Sequence, residues 1–141
     1  MRQPREKLFS HQPVSVRHAR SFVAAALTGW EADGRLDDVN VCVSELATNA
    51  IRHGSRVGRG FLVRVASHDE RLRVEVRDGG SSEGKAPHVT EPTDDVPDGR
   101  GLFLVAAFAD DWGVNRHEGS GHTVWAEFKV DTSANREGAA K

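Results

Sequence analysis

Residues 44–54 read SELATNAIRHG, and the placement of this stretch decides the fold. Val39, Val43, Leu46, Ala47, Ala50 and Ile51 recur around it at helical spacing, which predicts an amphipathic helix over residues 36–53. Asp37 and Asp38 open that helix, where carboxylates suit the positive end of the helix dipole. Gly54 supplies the stop. Glu45 and Asn49 are four residues apart, so they project from one face, beside the apolar stripe. A carboxylate and an amide so placed can orient water and complete the oxygen coordination of Mg²⁺. Taken alone, the pair is more often a solvated Glu and a surface Asn.

Upstream, Val16, Ala19, Val23, Ala26, Leu27 and Trp30 keep helical spacing across residues 13–30. Pro13 or Ser15 is expected to open this helix and Gly29 to lie near its end, with Arg17, Arg20 and Thr28 largely on the other side. Downstream, residues 61–66 are rich in β-branched side chains. Residues 71–77 alternate, with Leu72, Val74 and Val76 on one face. The short Asp69-Glu70 connection predicts an antiparallel hairpin. Residues 79–98 (GGSSEGKAPHVTEPTDDVPD) carry little apolar content, and a loop of that length inside a domain tends to be functional. A short helix is predicted over residues 101–109, then strands over 112–116 and 122–130. In the last strand Val124, Ala126, Phe128 and Val130 alternate with Thr123, Trp125, Glu127 and Lys129.

Adjacent strand pairs set apart from the helices imply an α+β sandwich of two layers, with helices on one face of a mixed, mostly antiparallel sheet. The 141 residues suit one domain: an N-terminal tail or edge strand at 1–10, a body at 11–130, and a C-terminal tail at 131–141 expected to be disordered. A hydrophobic content of 38% and a charged content of 28% are ordinary for a globular chain. The net charge of −2 gives no bulk electrostatic case for nucleic acid or an anionic membrane. Cys42, as the single cysteine, cannot form an internal disulfide. No apolar run approaches a membrane span, and residues 1–7 lead into no signal core, so a cytoplasmic location is expected.

Three further constellations carry chemistry. Arg77-Asp78-Gly79-Gly80 ends the second strand, where an aspartate can accept a hydrogen bond from an exocyclic amine and glycines allow close backbone approach; a tight turn is the plain alternative. Gly99-Arg100-Gly101-Leu102 lies between the long loop and a helix, where exposed N–H groups favour phosphate; a hinge and cap would use the same residues. Gly121-His122-Thr123 opens the last strand, with a hydroxyl able to bond a base or a neighbouring carboxylate, although exposed strand threonines are common.

In their joint order these pieces, with VRHARSFVAAAL at 16–27 and HTVWAEF at 122–128, cover roughly residues 10–130. The chain resembles the histidine-kinase-like (GHKL) ATPase superfamily, and within it the small bacterial anti-sigma-factor serine/threonine kinases. The resemblance implies a Bergerat-type ATP-binding fold with ATP and Mg²⁺ as cofactors. It implies Glu45 as general base, Asn49 as magnesium ligand, Asp78 as reader of the adenine amino group, Thr123 as its support, and Gly80 as a wall of the adenine pocket. Gly99 and Gly101 would let the loop and helix start close over the phosphates, Arg100 and Lys85 are phosphate candidates, Leu102 belongs with them to the ATP-binding set, and residues 81–98 would form the lid. His53 matches a histidine frequent in the subgroup, where the helix end itself can satisfy it. The expected function is an anti-sigma regulator that phosphorylates Ser or Thr of a STAS-type anti-anti-sigma protein and sequesters a sigma factor. Arg17 and Arg20 are candidates for the partner surface, and a homodimer is suggested. No phosphoacceptor helix pair is expected upstream and no transducer domain downstream. The sequence departs from the superfamily at Ser81 and Ser82, where many members carry a further glycine, and in a short lid. That departure keeps open a nucleotide-responsive binding module without turnover.

Overall fold

A computed structural model describes residues 3–53, 60–78, 97–116 and 121–130, with only the backbone at 53 and 97–101. Strand β1 spans Arg5–Phe9 and helix α1 Val14–Gly29. A 3₁₀ turn at Asp33–Arg35 leads directly into α2, Leu36–His53. Then follow β2 (Phe61–His68), β3 (Arg71–Asp78), α3 (Pro97–Phe108), β4 (Asp111–Arg116) and β5 (His122–Lys129). The five described strands form one sheet in the order β1-β2-β3-β5-β4, and all four neighbouring pairs are antiparallel. The α+β sandwich expected from the sequence is therefore present, with no parallel pair among the described strands.

Alternation fixes which face of the sheet meets the helices. Phe61, Val63 and Val65 of β2, Leu72, Val74 and Val76 of β3, and Val124, Ala126 and Phe128 of β5 are all buried. Opposite them α1 lays down Ala19, Val23, Ala26 and Leu27, and α2 lays down Val39, Cys42, Val43, Leu46, Ala47 and Ala50. Period-2 rows therefore meet period-3.6 stripes in one core. Leu102 and Val105 of α3 and Trp30 complete it.

The ends of the elements have local causes. Helix α1 closes with Ala32 N–H donating to the Leu27 carbonyl and Glu31 N–H donating to that of Thr28, while Glu31 takes a left-handed φ of 56°. This is a Schellman closure with Glu31 at the left-handed position, and Gly29, expected near the helix end, is its last residue. The β2–β3 hairpin turns on Asp69 and Glu70, whose φ values of 49° and 63° mark a type I′ turn matched to strand twist. At Gly60, a Cβ would collide with the Phe9 carbonyl, so glycine permits β1 to lie against the start of β2. Among the described residues no helix is long and apolar enough to cross a membrane.

Candidate functional site

Six polar residues are buried among the described side chains, and three of them, Asn49, Asp78 and Thr123, are among those singled out from the sequence. Buried polar groups need partners or a ligand. Asn49 is only 6% exposed, further inside than a position beside the apolar stripe would give. Its amide makes no hydrogen bond among the described residues. Glu45, one turn earlier, is half-buried; desolvation raises its carboxyl above the usual range, against the lowering influence of the Arg52 charge. A partly desolvated carboxylate is a stronger base than one in water.

The hydroxyls of the neighbouring row of α2 are satisfied within the protein. Thr48 Oγ1 donates to the Ser44 carbonyl at 2.7 Å and Ser44 Oγ to the Asn40 carbonyl at 2.8 Å. Arg20 Nη1 reaches across from α1 to donate to Ser44 Oγ at 3.0 Å. Arg20 thus ties α1 to the segment of α2 just before Glu45, whereas Arg17 is exposed.

The inner row of β3 runs Leu72, Val74, Val76 and ends on Asp78, 7% exposed. That carboxylate sits at the mouth of an apolar face, at the end of a strand that packs against α2. The residue opposite it in the ladder is His122, 3% exposed, with Nδ1 at 3.9 Å from Asp78 Oδ1. Directly opposed residues of an antiparallel pair share a face. Thr123 pairs instead with Arg77 and lies on the outer face with Trp125 and Glu127. In the ladder, then, His122 and not Thr123 stands directly across from Asp78.

The glycine pair is also placed differently. Helix α3 begins at Pro97, ahead of the expected 101, so Gly99, Arg100 and Gly101 belong to its first turns rather than to a hinge before it. Proline fits a first helical turn because its fixed φ is already helical and no N–H is required there. Leu102, 1% exposed, is part of the hydrophobic core. Gly80, Lys85 and residues 81–96 of the expected lid lie outside the described residues, as does the 131–141 tail.

Among the described residues no three His, Cys, Asp or Glu side chains converge as a metal cage. The buried Asn49 amide oxygen fits instead a hard ion held by one protein ligand plus phosphate oxygens and water.

A family model for the histidine kinase-like ATPase domain matches residues 9–128. The chain belongs to that family. An anti-sigma F factor of Clostridium acetobutylicum is 32% identical over 96 residues, which make up 63% of this chain and 66% of that protein, just under two thirds of its length. Two solved structures share the fold at lower identity. Full-length ShkA in complex with AMPPNP superposes with a TM-score of 0.55 at 16% identity, over 88% of this chain and 31% of that one. The Acinetobacter baumannii histidine kinase AdeS gives 0.50 at 14%, over 93% and 70%.

Proposed function

We propose that this histidine kinase-like domain binds ATP beside α2 and the inner end of β3, and transfers the γ-phosphate to a serine or threonine hydroxyl of a STAS-type partner. The same domain holds a sigma factor inactive, the role named for its anti-sigma F relative. The observation that carries the reading is α2 itself: it presents a half-desolvated carboxylate, Glu45, one turn from a buried amide, Asn49. Asn49 is the residue that would hold Mg²⁺, which when bound neutralises charge on the transferring phosphate.

Phosphoryl transfer asks mainly for positioning and electrostatics. Glu45 takes the proton from the incoming hydroxyl as its oxygen bonds to the γ-phosphorus and the bond to the β,γ-bridging oxygen breaks, releasing ADP. Asp78 accepts from the adenine amine at the far end of the pocket. Gly99 and Gly101, in the first turns of α3, leave the helix start open to phosphate. Exposed Arg17 and the Ser44-anchored Arg20 offer a basic patch on α1 for an acidic partner surface, next to the reacting end of α2.

Calorimetric titration with ATP and Mg²⁺ tests the pocket. Asp78→Ala should abolish binding, and Asn49→Ala should make it weak and metal-insensitive. Glu45→Ala should bind ATP yet fail to phosphorylate a STAS protein; transfer at the wild-type rate would remove Glu45 as the base. The second reading, a nucleotide-responsive binding module, is favoured by Ser81 and Ser82 where relatives carry a further glycine. Phosphate incorporation into a bound partner eliminates it.

A further inference from the structure

Residues 102–108 read LFLVAAF, an unbroken apolar run that ends α3. At about 100° per residue such a run surrounds the helix, and a helix apolar on every side is expected to be covered on every side. Helix α3 is covered on one side only. Leu102 and Val105 are buried in the core, whereas Phe103, Ala106, Ala107 and Phe108 are exposed. Among the described residues the exposed large hydrophobics include two aromatics, Phe103 at 41% and Phe108 at 38%, and both belong to this helix. Helix α1 shows the ordinary arrangement, with Arg17, His18, Ser21 and Thr28 turned to solvent. An apolar face of this kind marks an interaction site.

The end of this face meets a charged one. Arg35 donates to the Phe108 carbonyl at 3.2 Å and also lines an open cleft of about 410 Å³ at the start of α2. The carboxylates of Asp33, Asp37 and Asp38 line the same cleft. Arg35 is already engaged by Asp38 at 3.0 Å and by Asp110 at 2.7 Å, so the surplus charge is negative. Exposed Asp111 follows Asp110 in the chain and adds to it.

We propose that the outward face of α3 and the acidic cleft beside it form one docking surface for an amphipathic basic helix of a partner protein. The apolar side of that helix covers Phe103, Ala107 and Phe108, and its lysine or arginine enters the cleft. The small side chains of Ala106 and Ala107 fall between the two phenylalanines in sequence, which leaves room for a large apolar anchor of the partner. The cleft at the edge supplies orientation and attraction at a distance. A second copy pairing α3 on α3 would cover the rings but bring no cation to the cleft, since residues 102–108 carry no charge. The surface lies apart from Arg17 and Arg20 of α1 and stands independently of the nucleotide reading.

The test is fluorescence anisotropy of labelled peptides of about 18 residues, five helical turns, titrated with the full chain. One peptide carries leucine and phenylalanine on one face and lysine and arginine on the other. A second replaces the cations by glutamate, and a third keeps the first composition in an order that breaks the apolar face. The wild type should bind the first peptide and neither of the others at the same concentrations. Phe103→Gln should weaken that binding roughly tenfold. Asp33→Asn together with Asp37→Asn should weaken it about fivefold at low salt, with the difference shrinking as salt rises. Ala25→Gln, at an exposed position of α1, should bind as the wild type does. Should Phe103→Gln fail to fold, Ala107→Gln, exposed on the same helix, carries the same expectation. Failure of the ordered basic peptide to bind, equal binding of the disordered one, or undiminished binding by Phe103→Gln overturns the proposal. So does sedimentation that shows a wild-type dimer and a Phe103→Gln monomer, which gives the face to a second copy.

Discussion

Arg35 stands where the 3₁₀ turn enters α2, and its removal should destabilise the domain by about 3 kcal/mol. The guanidinium donates through Nη1 to Asp110 at 2.7 Å and to the Lys129 carbonyl at 3.0 Å, through Nη2 to the Phe108 carbonyl at 3.2 Å, and through Nε to Asp38 at 3.0 Å. It also lies 5.5 Å from the centre of the Phe128 ring. One side chain thus joins the start of α2, the end of α3 and the end of β5. With the side chain 27% exposed, each ion pair contributes only about 0.5 kcal/mol. The two carbonyls contribute about 1 kcal/mol each, and the cation–π contact with its packed stem about 0.5 kcal/mol. Arg35→Ala should therefore lower the free energy of urea unfolding by about 2–4 kcal/mol, with an unchanged denaturant slope. Arg35→Lys keeps the charge but not the fork, so it should fall between. The loss should also narrow in acid. Lys129 N–H, and then the Arg35 guanidinium, hold the Asp110 carboxyl below its ordinary range. A depressed folded-state pKa contributes stability that is complete above the unfolded value, about 4, and is lost as pH falls through the folded value. The Arg35→Ala penalty should thus be larger at pH 7 than below pH 4. A loss under about 1 kcal/mol at pH 7, or one that grows in acid, refutes the reasoning.

Three further perturbations test other parts of the fold. Changing Asp69→Asn together with Glu70→Gly suits the two left-handed positions of the β2–β3 turn and should raise the unfolding free energy by about 1 kcal/mol in a urea melt. The contacts these exposed side chains give up there, His68–Asp69 among them, are worth little, so a net loss of stability would contradict the I′ assignment. A Cβ at Gly113 would meet the Trp125 indole at 2.6 Å, so Gly113→Ala should push Trp125 off its contact with Arg73, costing about 1–3 kcal/mol and shifting tryptophan emission. An unaltered spectrum would mean the indole is not held against β4. Glu45→Gln should raise Tm at pH 7. Burial lifts the folded-state pKa of Glu45, so the wild type is relieved of the desolvation cost only below the unfolded value, about 4.3, and bears it as pH rises through the folded value. The gain should vanish below pH 4, and a lower Tm at pH 7 would place a stabilising partner on the charged form.

The elements whose periodicity carried long apolar rows were legible because their packing partners share the same rows. Helix α2 occupies the interval its stripe predicts, and the Asp69-Glu70 hairpin follows from two alternating runs with nothing between them to place elsewhere. Legibility fails where two local signals compete. In Pro97-Asp98-Gly99-Arg100-Gly101 the glycines read as a break, yet proline at a helix start and the burial of Leu102 against α2 extend the helix back through them. At the site, pleat matters more than residue type. Val124, Ala126 and Phe128 already assign the even positions of β5 to the inner face, and the same count carried two residues back puts His122 inside and Thr123 outside. The hydroxyl of Thr123 drew attention because threonine has obvious hydrogen-bonding chemistry, whereas the side a residue occupies depends on pleat alone. The register of β5 against β3 could not be read from either strand separately, and it is what brings the imidazole to the carboxylate. An inner row that ends on a polar residue in each of two paired strands marks a place where the apolar core stops. Asp78 and His122 end two such rows, and Asn49 faces the same core from α2. The polar exceptions at the ends of apolar rows, and not any one motif, are therefore what the proposed nucleotide site is built from.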